Sequence, residues 1–156
     1  MEYCYLDSPV GQLLIGGKGK LEFISFSKGK FRYMPQPDWV YSTQPFSDVL
    51  SQLAAYFRGK LTRFSLDTAP EGTEFQRRVW QALAKIPYGA TISYGELAVQ
   101  IGNPKACRAV GMANARNPIP IVIPCHRVIG KNGTLTGFGG GLDIKEKLLA
   151  LERQAA

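Results

Sequence analysis

The chain of 156 residues holds a single histidine, His126, and only three cysteines, Cys4, Cys107 and Cys125. Wide spacing and the absence of a CxxC pair exclude a disulfide framework. With one histidine in reserve, too few ligands remain for the usual zinc arrangements, so neither a metal nor another cofactor is expected. Long apolar runs are missing as well. The stretch Ile119–Cys125 is broken by Pro120 and Pro124, far short of the roughly 20 apolar residues a membrane helix needs, so no membrane partner is expected. The opening MEYCYLDSPVG carries acidic residues where a secretory leader is basic and then apolar. Together with the sparse cysteines, this makes the reducing cytoplasm the expected compartment. Acidic residues are also few: 12 against 19 Lys and Arg, a net charge of +7. Residues 1–70 carry 8 basic and 6 acidic groups, and residues 71–156 carry 11 and 6. The second half is thus the more basic, which suits a polyanionic partner such as nucleic acid, or simply a soluble surface.

What is present is ordinary for a folded domain: 45% hydrophobic and 20% charged residues, which excludes disorder or a coiled coil. Tyr3–Leu6, Leu13–Gly16 and Leu21–Phe26 are short apolar and aromatic runs separated by Gly-containing turns, and predict an antiparallel meander. Residues 28–45 read as loop. A helix follows, with Ser47 as its cap, an apolar face of Val49, Leu50, Leu53, Ala54 and Phe57, and Gly59 just past its end. The connector Thr68–Thr73 divides the chain into units 1–68 and 73–156. Beyond it, Thr73 with Gln76 and Ser93 with Glu96 form two capping-box patterns. The first leads into Phe75, Val79, Ala82, Leu83 and Ile86, the second into Leu97, Ala98 and Ile101. Gly102 and Asn103 end the second helix, and Pro104 suits the start of another, running to about Ala113. Two short helices joined by a Gly-Asn turn predict a helix-turn-helix. A strand over Ile119–Ile123, a glycine-rich stretch and a last helix from about Leu142 to Glu152 complete the reading. The expected class is α+β: a small N-terminal α/β domain (antiparallel sheet plus helix), then a mainly helical, winged-helix-like domain.

The chemistry gathers at Pro124-Cys-His-Arg127. A lone cysteine is more often buried and inert than reactive. Here a proline breaks the strand before it, the only histidine follows, and an arginine follows that. Imidazole and nearby cations stabilise a thiolate and lower its pKa. Adjacent side chains on a strand point to opposite faces, so contact between Cys125 and His126 requires a turn or a bridging water. A carboxylate to orient the imidazole would complete a relay; Glu96, Glu146 and Glu152 all qualify.

The stretch from Arg108 to Gly130, RAVGMANARNPIPIVIPCHRVIG, with Tyr94-Gly95 upstream and the glycine run with Leu142 downstream, closely resembles the O6-alkylguanine-DNA alkyltransferase family. The resemblance covers roughly residues 73–152. It implies that Cys125 attacks the alkyl carbon on guanine O6, or on thymine O4, and keeps the alkyl group as a thioether, so each molecule acts once. It implies His126 as a base through a water, Glu152 as the relay carboxylate, and Tyr94 as a hydrogen-bond partner of guanine N3. A pocket of Val128, Phe138 and Gly139 would receive the base. Phe138 stands where relatives often carry tyrosine, which leaves stacking but removes a hydroxyl. The target must leave the duplex stack. The resemblance assigns Arg108 to fill its place, Ala109 and Gly111 to close approach of that helix to the minor groove, and Asn117 to a hinge onto the active-site strand. The implied partner is double-stranded DNA, met by a monomer. Some relatives carry an N-terminal zinc; Cys4 without a histidine predicts none here. A non-enzymatic damage binder, a helix-turn-helix regulator and a thiol hydrolase are the competing readings. The intact cysteine opposes the first.

Overall fold

The computed structural model describes residues 1–29, 32–135, 138 and 140–155. The meander forms as the apolar runs dictate. Strands β1 (Glu2–Ser8), β2 (Gly11–Gly17) and β3 (Phe23–Phe26) pair antiparallel, with Leu6 opposite Leu13 and Ile15 opposite Ile24. The segment read as loop holds a fourth strand, β4 (Val40–Tyr41), which pairs parallel to β1, so the order is β3-β2-β1-β4. It is only two residues long, too short for a period to be visible in the sequence.

Helix α1 (Ser47–Phe57) packs against β1 of this sheet, burying Val49, Leu53 and Tyr56. Ser47 is not its cap. A 3₁₀ turn over Gln44–Phe46 leads straight into the helix, and the Ser47 N–H donates to the Gln44 carbonyl, so that N–H needs no side-chain acceptor. Two helices end on the same motif. Gly59 (φ 71°) follows α1, and Gly102 (φ 80°) follows α3 (Tyr94–Gln100). Lys60 and Gly59 donate to the carbonyls of Ala55 and Tyr56, and Asn103 and Gly102 to those of Ala98 and Val99. Left-handed glycines serve both Schellman caps.

Both capping boxes form, at Thr73–Gln76 ahead of α2 (Glu74–Leu83) and at Ser93–Glu96 ahead of α3. Pro104 lies in a turn and does not open a helix. The next helix, α4 (Cys107–Ala115), starts three residues later and ends two residues beyond expectation. The Trp80 indole N–H on α2 donates to the Ala113 carbonyl at 2.9 Å, tying α2 to the end of α4.

The expected strand Ile119–Ile123 does not form. Prolines 118 and 120 remove ladder donors, and the chain turns tightly, with an isolated bridge between Pro120 and Ile123 and with Ile121 at φ 74°. The extended segment comes later: β6 (Val128–Ile129) pairs parallel with β5 (Ile92–Ser93). The last helix, α5 (Leu142–Ala155), packs on the turn between them.

The two halves meet along the reactive segment. The Ile24 N–H of β3 donates to the Pro118 carbonyl at 2.8 Å. Phe26 packs on Phe138 at 5.7 Å, and Lys28 pairs with Asp143 at the surface.

Candidate active site

Cys125, His126 and Arg127 form one 3₁₀ turn between the Ile121 loop and β6. This supplies the turn that a strand would have denied, and all three residues are buried. Two asparagines fix it. Asn117 donates to the Ile123 carbonyl at 2.7 Å and accepts the Ile119 N–H at 3.0 Å, so it spans the tight loop. Asn114, on α4, donates to the Cys125 carbonyl.

The imidazole of His126 is fully buried. Its Nε2 lies 2.6 Å from Glu152 Oε2. Glu152 is also 1% exposed, yet it accepts five hydrogen bonds: from His126, from Nε and Nη2 of Arg127, from the Tyr56 hydroxyl at 2.6 Å and from the Gly89 N–H. Burial pushes its carboxyl up, but the donors of His126, Arg127 and Tyr56 outweigh this and hold it well below the usual carboxylate range. Burial holds the His126 imidazole below its ordinary 6.5, against the opposing pull of Glu152. A neutral imidazole facing an anionic carboxylate must carry its proton on Nε2. That leaves Nδ1 an acceptor, and Nδ1 has no protein partner among the described residues. Of the three carboxylates open to the sequence, Glu96 is engaged in its capping box and Glu146 is exposed.

Cys125 corrects the expectation of a standing thiolate. Burial pushes its thiol up to about 11, although Asn117 and Lys145 pull the other way. The resting group is a thiol, and its proton must leave during any reaction. It lines a cavity of about 380 Å³ together with Asn117, Pro120, Phe138 and Gly140. Gly140 is needed there, because a Cβ would fall 2.5 Å from the Phe26 ring.

The remaining expected residues divide. Tyr94 and Val128 do not line that cavity. Tyr94, the first residue of α3, borders a neighbouring surface cleft with Cys107 and Lys131. Val128 is buried in β6. Arg108 and Ala109 are exposed on α4. Gly111 packs its backbone near the Tyr94 ring; a Cβ there would lie 3.9 Å away. Gly139 lies outside the described residues.

Two residues escaped the sequence. Lys145 is fully buried, donates to the Val128 carbonyl at 2.5 Å, and sits 5.8 Å from the Tyr94 ring centroid. Burial lowers its ammonium to about 8. Its signal was available: Lys145, Leu148, Leu149 and Glu152 follow i, i+3, i+4, i+7, a helical stripe with a charge at each end. Tyr56 completes the buried stripe Val49–Leu53–Tyr56, beside which the expected Leu50 and Phe57 pack partly buried against the same core.

Residues 1–70 match the family model described as "6-O-methylguanine DNA methyltransferase, ribonuclease-like domain", and residues 74–154 match its "DNA binding domain". A methylated-DNA–protein-cysteine methyltransferase of Methanosarcina acetivorans is 54% identical over 153 residues, covering 97% of this chain and 98% of its own. One from Mycolicibacterium paratuberculosis is 52% identical over 155 residues, covering 99% and 93%. The crystal structure of Mycobacterium tuberculosis OGT in complex with DNA superposes with a TM-score of 0.93 at 48% identity, covering 100% of this chain and 95% of that one. The chain therefore belongs to the 6-O-methylguanine DNA methyltransferase family, the O6-alkylguanine-DNA alkyltransferases its central motif resembles.

Proposed function

We propose that this protein repairs DNA by moving the alkyl group of O6-alkylguanine, and of O4-alkylthymine, onto Cys125, once per molecule. The observation that carries this reading is the buried Glu152–His126 pair, one residue from a thiol that opens into a cavity. The Cys125 proton passes through a water to Nδ1 of His126, and Glu152 stabilises the imidazolium so formed. Sulfur attacks the alkyl carbon, an S–C bond forms, and the C–O6 bond breaks with its electron pair on guanine oxygen. The purine anion then takes up one proton, returned through water from the His126 imidazolium, which becomes neutral again. By likeness to the family, Tyr94 is assigned the hydrogen bond to N3 that disperses the developing charge, from the cleft it borders rather than from the Cys125 cavity. The product thioether offers no leaving group that the site can expel, so there is no second turnover.

A base inside the duplex is beyond the reach of Cys125, so the nucleotide is everted at a cost of a few kcal/mol. Arg108, exposed on α4, takes the vacated place. Ala109 and Gly111 let that helix approach the minor groove, whose readout is poor in sequence information and so suits a protein that must act anywhere. Asn117 ties this helix to the reactive turn. Phe138, at the Cys125 cavity, stacks on the base, and Val128 and Gly139 are assigned to its pocket by likeness to the family alone. We place the chain junction at residues 69–72. The cytoplasm is the compartment this reading favours, since all three cysteines are free.

Incubation with duplex containing one O6-methylguanine, followed by peptide mass spectrometry, tests the reading. One methyl on Cys125 is the expected result. An unmodified Cys125 after saturating exposure rejects it.

A further inference from the structure

We propose that Tyr56, on helix α1, is a positioning residue for alkyl transfer: its hydroxyl holds the Glu152 oxygen that also carries His126, so the N-terminal domain sets the basicity of the relay. The inference rests on the relay described above and assigns the N-terminal domain a part in it.

The geometry is specific. Tyr56 O–H and His126 Nε2 both lie 2.6 Å from the same oxygen, Oε2 of Glu152. Tyr56 is fully buried, and its ring is wedged against Phe57, Phe64 and Tyr88, at 5.4, 5.5 and 6.1 Å between centroids. The hydroxyl therefore has one aim. Burial and the Glu152 charge hold the phenol protonated far above its ordinary value, so it acts only as a donor. With Nη2 of Arg127 at 3.0 Å, three donors share that one carboxylate oxygen and compete for its charge. Each share taken by Tyr56 is withdrawn from the imidazole, which keeps His126 neutral and its Nδ1 free to accept the thiol proton. Besides Glu152, the charged groups that act on His126 are Arg127 on its own turn and Lys145 on α5, with Cys125 adjacent in the chain; Tyr88, in the loop after α2, faces Tyr56 and Arg127. Arg127 is fixed on Glu152 and on the Ile86 carbonyl, and Lys145 on the Val128 carbonyl. Tyr56 is the donor to Glu152 that comes from the N-terminal unit.

His126 is the only histidine in the chain, so its imidazole resonances can be followed by NMR without ambiguity. The test compares the full-length protein with Tyr56→Phe, measuring the His126 titration midpoint and the acid limb of the single-turnover rate on O6-methylguanine duplex. In Tyr56→Phe both should move to higher pH together by about one unit, the scale on which one hydrogen bond to a charge acts. Site-specific 3-fluorotyrosine at position 56 is a stronger donor of the same shape, and should move both the other way. It preserves the test if the phenylalanine variant folds poorly. Midpoint and limb unmoved in both variants, with only the melting temperature changed, would reduce Tyr56 to packing and overturn the proposal. An acid limb in the unaltered protein that ignores the His126 midpoint overturns the relay itself, and this inference with it.

Discussion

At Cys125, burial and reactivity pull in opposite directions. A thiol held near 11 is protected from casual electrophiles and needs its neighbours to become a nucleophile. Cys125→Ala should bind alkylated duplex as the parent does and transfer nothing, measured by gel shift and by methyl counting. Glu152 carries more structural weight. Glu152→Gln leaves Arg127 buried without its counter-charge, which should cost about 3–5 kcal/mol in urea unfolding and slow transfer. The same pair governs acid behaviour. The folded pKa of His126 lies below its ordinary 6.5, and that of Glu152 below 4.5. In each case the unfolded chain binds protons first as pH falls. Their stabilisation is therefore complete above 6.5, begins to be lost below it, and is lost more steeply below 4.5. Denaturation midpoints measured across that range should fall in this order; a flat profile would contradict the pairing. Of this site, the sequence made Cys125 and His126 legible, because a unique histidine beside a cysteine is a rare juxtaposition. Physics alone left three carboxylates open, and only tertiary packing separates Glu152 from Glu146 and Glu96.

Elements were legible where local chemistry is self-sufficient. Capping boxes at Thr73 and Ser93 and glycines at 59 and 102 satisfy backbone groups within a few residues, so their helices could be placed from the sequence. Elements that depend on distant partners were not. Strand β4 exists because Met1 and Tyr3 offer carbonyls to Val40 and Ser42. Ser47 lost its capping role to the 3₁₀ turn over Gln44–Phe46, which carries a proline in its first turn. The run Ile119–Ile123 has strand composition but loop geometry, since two prolines and the Asn117 bridge outweigh β propensity. Helix α4 yields a test at this scale. A methyl at Gly111 meets only ordinary contact with Tyr94, so Gly111→Ala should stabilise the helix by up to about 1 kcal/mol. If α4 lies against DNA, the same change should weaken duplex binding. Raised melting temperature with unchanged affinity would remove α4 from the interface.

Across the whole molecule, the sheet half and the helical half are joined where the chemistry sits: Ile24 to Pro118, Phe26 to Phe138, Tyr56 to Glu152. An alkyl group added to Cys125, a residue only 4% exposed, therefore strains the seam between them. Overpacking of this kind costs about 1–3 kcal/mol, so the spent protein should melt a few degrees below the fresh one; superimposable scanning-calorimetry traces would refute this. The left-handed Ile121 lies in the same seam. A buried, β-branched residue keeps that dihedral only while everything around it insists. A nascent or half-melted chain has no such enclosure and lets the loop relax, and the cysteine turn dissolves with it. Competence to accept an alkyl group should thus arrive all at once, as the final event of maturation, and an immature copy would not squander its only turnover.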